Sequence, residues 1–478
     1  MKTSKYGFFF TIILLFFLIL FSGCKTDTSM PIETKSDTSM PNQLESNDIT
    51  LWILTEESDG MNSQANTIIE TFKSTHPNLS IDLEILPTKP EERAVRLERL
   101  RTEIMSGNGP DGYLLPTDYR AMDSLFPDVT QNMYNGVFTD ITDYLQHEDD
   151  DFLVGINQTV LDAGVINGKQ YVLPLRYDVP MIYADTEALQ KFDVELTNTS
   201  LSILNLMKTA CKTESDVFAA CCNPSTHNVM SQLEPTYNYS SGMVEIDKQI
   251  IVDYFEAYNT LISLSKDATI NSSGFITLYI HTGECLGTET PLAISTLSRL
   301  LDYIAVSKAQ QRQLSVYPLY SVGGEYVANV TYYAAVGSNT AHPELVYSFL
   351  REFLVEENQW EQDRKTTSFP GLVEEGWPIR DKNAAENLWE IYRLQHRNVY
   401  DDEKPLFARK QAILSLELTS DDFAIVNTPI SQARFPSRNE DALIRDSLFK
   451  ITDTQFDGNY SAVAEDLLTK LQRAFAEG

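Results

Sequence analysis

The stretch "DITLWILTEESDG" (48–60) joins a β-rich apolar run to a string of acids that ends in glycine. Ile49, Leu51, Trp52, Ile53 and Leu54 read as a buried strand, stopped by Glu56-Glu57-Ser58-Asp59-Gly60. Ala65, Ile68, Ile69 and Phe72 then recur at helical spacing until His76-Pro77 closes the helix. In "SIDLEILP" (80–87), Ile81, Leu83 and Ile85 alternate with polar residues, the mark of a second strand. Ala94, Leu97, Leu100 and Ile104 make another helical stripe, which "SGNGPD" (106–111) ends, and "GYLLP" (112–116) is a third strand. Such a β-α-β-α-β order within about 70 residues predicts an α/β fold with a parallel sheet wrapped by helices. Ligands of these sheets sit beyond the carboxyl ends of the strands. Those ends are Thr55-Glu56-Glu57 and Pro116-Thr117-Asp118, so Glu57 and Asp118 are candidate ligand contacts.

Upstream lies a different kind of sequence. Lys2 and Lys5 precede an apolar run from Gly7 to Phe21. That run is shorter than the roughly 20 residues a membrane span needs, and its length is that of a signal-peptide core. It ends in "LFSGC" (20–24), which resembles a bacterial lipobox. Residues 1–23 are therefore expected to be a signal peptide, and Cys24 the site of lipid attachment, palmitate included. Next, "KTDTSMPIET" (25–34) is nearly repeated as "KSDTSMPNQL" (35–44). This polar tract has no apolar periodicity with which to order itself, so 24–48 reads as a lipidated cysteine followed by a flexible duplicated spacer.

The roughly 430 residues that follow exceed what one core usually holds, so two lobes are expected. Hydrophobic residues make up 42% of the 478, which is a globular composition. Lys and Arg number 37 against 68 Asp and Glu, a formal charge of −31. No basic patch of the kind nucleic acid requires stands out, and the acidity argues against a folded surface lying on anionic lipid. Beyond Cys24 the cysteines are Cys211, Cys221, Cys222 and Cys285. A local disulfide and buried thiols both fit them. "CCNPSTH" (221–227) lacks the ligand spacing of a zinc site, and no metal site is assigned.

Several segments resemble extracellular solute-binding proteins of family 1, the sugar and oligosaccharide receptors of ABC importers. They are "LWILTEES" (51–58), "LRTEIMSGNGPDGYLLPTD" (100–118), "INGKQYVLPLRYDVPMIYAD" (166–185), "YYAAVGSNTAHPELVYSFLREFL" (332–354), "EEGWPIRDKNA" (374–384) and "FDGNYSAVAEDLLTKLQ" (456–472), in the family's order. The segment 195–290, with its cysteines and "TYNYSSG" (236–242), lies outside the resemblance. What the resemblance implies is a two-lobed periplasmic-binding-protein-like (type II) clamp with hinge strands. Lobe one would comprise 49–176 plus about 329–380, and lobe two about 177–328 plus 381–478. Lobe closure captures a small polar solute, a carbohydrate by family default, and a permease of the ABC importer reads the closed form. No cofactor is implied. The protein would hang by its lipid on the extracellular face of a bacterial membrane.

A sugar offers C–H faces to aromatic rings and hydroxyls to charged or amide groups. On the matching segments, Tyr177 and Asp178 of the crossover strand are the leading candidates to line the cleft. Trp377 is a candidate stacking platform with Arg380 beside it as a donor. Of Tyr332 and Tyr333, alternation should turn one toward the cleft, with Tyr333 taken as that residue. Trp52, Trp360 and Trp389 read as packing, and Tyr237 and Tyr239 as an exposed loop.

Two other readings compete. A ligand sensor of the same fold could feed a membrane kinase. A surface glycosidase would need two carboxylates astride the bond it cuts, and with 68 acids a pair is always available on paper. There is no G-x-S-x-G or H-E-x-x-H signature, "GVINGKQ" (164–170) falls short of a P-loop, and "HEDDD" (147–151) lacks the spaced ligands of an EF-hand. A non-catalytic binding protein is the expectation.

Overall fold

Three parallel strands begin the fold, as their spacing requires. The computed structural model describes residues 49–117, 123–196, 201–224, 233, 236–239, 241–266, 291–309, 314–356, 358, 376–380, 384–397 and 416–477. Cys24 and its spacer, Asp118, Cys285 and Trp360 lie outside the described residues. Strand β1 (Ile49–Thr55) pairs in parallel with β2 (Leu79–Ile85) on one side and β3 (Gly112–Pro116) on the other. Between them, α1 (Asp59–Thr75) starts where the Ser58 hydroxyl accepts the Met61 amide at 3.1 Å. It buries Met61, Ala65, Ile68, Ile69 and Phe72. Helix α2 (Pro90–Met105) opens on a proline whose fixed φ suits a first turn, with Glu91 and Glu92 against the helix dipole.

A short α3 (Val129–Tyr134) then lays Val129 and Met133 into the same core. Strands β4 (Val172–Asp178) and β5 (Pro180–Asp185) are separated by Val179 alone, yet they belong to different sheets. The chain thus passes from one sheet to the other within a single extended segment. Beyond it come α4 (Ile203–Thr213), α5 (Asp216–Cys221), the hairpin of β6 (Thr236–Asn238) and β7 (Met243–Glu245), and α6 (Lys248–Ser265). Next are β8 (Leu292–Thr296), α7 (Leu300–Ala309), β9 (Leu314–Pro318), β10 (Val327–Val336) and α8 (Pro343–Leu350). The last elements are β11 (Trp377–Pro378), α9 (Ala384–Arg397), β12 (Gln432–Arg434), α10 (Arg438–Ile451) and α11 (Tyr460–Glu477).

The larger sheet runs β11-β4-β10-β3-β1-β2, with β12 added in parallel to β10. The smaller runs β8-β5-β9, antiparallel throughout. Each has its own core. Strand β5 serves both by alternation: Met181 and Tyr183 point into the first, Ile182 and Ala184 into the second. Cys221 and Cys222 are buried thiols of the second core, and Cys211 is half-buried beside it. No helix among the described residues is long and apolar enough to cross a membrane.

The first core also takes in residues from the expected second lobe. Leu297, Leu300, Leu301, Tyr303 and Ile304 pack into the first core, where Tyr303 lies flat on Tyr183 with centroids 3.7 Å apart. Residues 381–478 were expected wholly in lobe two, yet Ala384, Ala385, Leu388, Trp389, Phe423 and Phe435 also fill the first core. Further along the tail, Leu443, Ile444, Leu448 and Ile451 of α10 and Val463, Ala464, Leu467 and Leu471 of α11 join the second. The three-residue strand "QAR" (432–434) is too short and too polar to signal this return to the large sheet.

Candidate ligand cleft

At the carboxyl end of β1 two adjacent acids part company. Glu56 is 3% exposed and grips Arg93 of α2 at two points, Oε2–Nη1 2.7 Å and Oε1–Nη2 2.5 Å. Arg93 also donates through Nε and Nη2 to the Asp123 carbonyl, at 2.9 and 2.8 Å. Burial pushes the Glu56 carboxyl above its usual range, and Arg93 and then Arg438 resist. Glu57, the acid singled out in the sequence, is exposed at this end of the strand. At the end of β3, the Thr117 hydroxyl donates to the Val330 carbonyl at 2.8 Å, which ties it to β10.

The candidates on the crossover strand sit deeper than a ligand-facing role requires. Tyr177, Tyr333 and Trp377 are each 1% exposed. Tyr177 and Trp377 are register partners across β4 and β11, and the indole Nε1 of Trp377 is buried with no hydrogen-bond partner among the described residues. Tyr332 and Tyr333 do alternate. The Tyr332 hydroxyl donates to the Leu114 carbonyl at 3.3 Å and lies 3.4 Å from that of Thr55, while the Tyr333 ring meets Phe435 edge-on at 5.6 Å. Both rings are covered. Arg380 is spent on the carbonyls of Leu354, Val154 and Phe152, so it pins the ends of two short helical turns rather than offering a free donor.

Asp178 is half-buried at the hinge. Its Oδ1 accepts the amides of Val179 at 2.9 Å and Ser298 at 3.1 Å, which links the first crossing to the chain as it leaves β8. Burial raises its carboxyl, opposed by hydrogen bonds from Thr296 and Ser298.

The second wall comes from residues not singled out in the sequence. "RFPSRNED" (434–441) leads from β12 into α10, which Ser437 caps by accepting the Glu440 amide. The Arg438 amide donates to the Pro127 carbonyl of the first lobe at 3.1 Å. Burial and the neighbouring Arg93 lower the Arg438 guanidinium, and Glu56 and Asp441 pull the other way. Arg434 and Glu440 stand 3.9 Å apart. Burial lifts Asp441 to about 6 against Arg434, Arg445 and Arg438, and its Oδ1 has no hydrogen-bond partner among the described residues. Tyr237, expected in an exposed loop, is half-buried and feels Glu440 and Asp128. Guanidinium donors, carboxylate acceptors and phenol rings thus converge where the lobes meet. The available signal was the clustering of two arginines and two acids around one helix start. No group of three or more metal-ligating side chains occurs among the described residues.

No protein-family model matches the chain, and no curated protein is similar to it in sequence. Among solved structures, an extracellular solute-binding protein family 1 member from Alicyclobacillus acidocaldarius is similar with a TM-score of 0.53 at 14% identity, over 89% of this chain and 98% of that one. A periplasmic oligogalacturonide-binding protein from Yersinia enterocolitica gives 0.54 at 16%, over 90% and 99%. A de novo designed cysteine esterase gives 0.57 at 17%, also over 90% and 99%. The chain has the two-lobed α/β fold of extracellular solute-binding proteins.

Proposed function

We propose that this chain is a non-catalytic receptor, held by a lipid on Cys24 at the outer face of the cell membrane. It captures a small polar solute between its lobes and presents the closed form to the permease of an ABC importer. The observation that carries this reading is the placing of Arg434, Arg438 and Asp441, half-buried, at the junction of two separately cored lobes. Such a mixture of donors and acceptors suits a ligand that is both, as a carbohydrate is. Binding to the closed form alone shifts the lobe equilibrium toward it, and the ligand leaves unchanged. Of the acids foreseen in the sequence, Glu57 and Asp178 retain exposed surface to offer. Tyr177, Tyr333 and Trp377 would back the wall from behind.

The likeness to an oligogalacturonide-binding protein makes acidic and neutral oligosaccharides the first solutes to test. The test is calorimetric titration and thermal shift of the full chain with galacturonate oligomers, neutral oligosaccharides, amino acids and polyols. At 100 times its dissociation constant a solute adds roughly 2.7 kcal/mol of stability. A shift with a sugar recovered intact by chromatography supports the receptor. Cleaved sugar would make the chain an enzyme, and no shift with any sugar would remove the carbohydrate assignment.

A further inference from the structure

The hairpin carrying "TYNYSSG" (236–242) is built on the second lobe. The Val244 amide donates to Gln472 Oε1 at 3.0 Å, Gln472 Nε2 donates to the Gly242 carbonyl at 2.7 Å, and Tyr237 packs on Phe475 at 5.1 Å. From that base Tyr239 reaches α3 of the first lobe. Its hydroxyl lies 3.2 Å from both carboxylate oxygens of Asp128, and its ring stacks on Tyr134 at 4.7 Å and 11°. Phe475 meets the same ring edge-on at 5.0 Å, and Gln131 Nε2 donates to the Phe475 carbonyl at 3.3 Å.

We propose that Tyr239 is a latch that holds the two lobes together. Asp128 is already fixed, because it caps α3 by accepting the Gln131 amide at 2.9 Å. The phenol therefore meets an acceptor oriented by its own lobe, and a charged acceptor makes the stronger kind of hydrogen bond. Both rings are only half-buried or exposed, Tyr134 at 39%. The contact is thus a rim of side-chain tips rather than a shared core, as expected of a contact that can part. Each side is anchored to its own lobe, so opening breaks this set and leaves both lobes whole.

The test compares Tyr239→Phe and Asp128→Asn with the unaltered full chain, without ligand. Hydrogen exchange is followed by mass spectrometry at 129–136 and 236–245, and the radius of gyration by X-ray scattering. Removing the hydroxyl should speed exchange on both sides of the contact together by roughly tenfold, the factor given by about 1.4 kcal/mol. The radius should grow, with α1 and α6 unchanged. Asp128→Asn keeps a capping side chain and should give a smaller change in the same direction. Faster exchange in the hairpin alone, or an unchanged radius in both variants, would reduce Tyr239 to local packing. If Tyr239→Phe does not fold, an Asp128→Asn chain that behaves as the parent overturns the latch by itself. A chain that binds no sugar yet opens on Tyr239→Phe keeps the latch and loses only the solute assignment.

Discussion

Glu56 and Arg93 meet end to end inside the first lobe, 3% and 2% exposed, at the strand end where this fold places its ligand. Removing one partner of such a pair strands the other charge in a low-dielectric site. Arg93→Met should destabilise the chain by about 3–5 kcal/mol in urea unfolding. Replacing both, as Glu56→Leu with Arg93→Met, should recover most of that loss, because two apolar groups of similar volume need no partner. Equal losses in the single and double variants would show that Arg93 matters through its bonds to the Asp123 carbonyl instead.

Asp441 gives a pH dependence with a definite sign. Its folded carboxyl titrates at about 6 against 3.8 in the reference state, so the folded chain holds this proton more tightly. The resulting stability is fully present below about pH 4 and is lost as the pH rises through about 6. The shift corresponds to at most about 3 kcal/mol, less whatever partial exposure screens. Asp441→Asn should remove that part of the slope and raise the melting temperature at pH 7 relative to the parent, with little difference at pH 4. Parallel curves from pH 4 to 7 would show that Asp441 does not carry it.

The parallel β1-β2-β3 unit was legible because a buried strand and an amphipathic helix each impose a period on their apolar residues. The crossover at 172–185 was legible through its resemblance to a hinge strand. The cleft was harder to read. Adjacent acids at a strand end point to opposite faces, so choosing between Glu56 and Glu57 requires the strand's phase against its sheet. An aromatic in a hinge segment reads the same whether it stacks on a ligand or fills the core, and Tyr177, Tyr333 and Trp377 are in the core. Tyr239 meets Asp128 across 111 residues, and no local period marks such a pair.

Asp178 ties the two crossings together, so its loss should be felt as hinge looseness before it is felt as unfolding. Asp178→Ala leaves the amides of Val179 and Ser298 without their acceptor, at about 1–3 kcal/mol. Asp178→Asn keeps a carbonyl oxygen and should recover most of it. Hydrogen exchange at Val179 and Ser298 is the direct readout. If those two amides stay as protected in Asp178→Ala as in the parent, other groups hold the hinge.

Gly376 stands just before β11 with φ +108°, and a Cβ there would lie 2.4 Å from Thr331 Oγ1 and 2.8 Å from the Tyr177 carbonyl. Both the backbone conformation and the space call for glycine at this position. Gly376→Ala should cost about 1–3 kcal/mol from the backbone conformation alone, and more from the crowding. The two contacts can be separated. Thr331→Ala removes the hydroxyl but leaves the carbonyl in place, so the double variant should regain only part of the stability lost in urea unfolding. Full recovery would show that the side-chain contact alone sets the cost, and that β4 can shift away from a methyl group beside Tyr177.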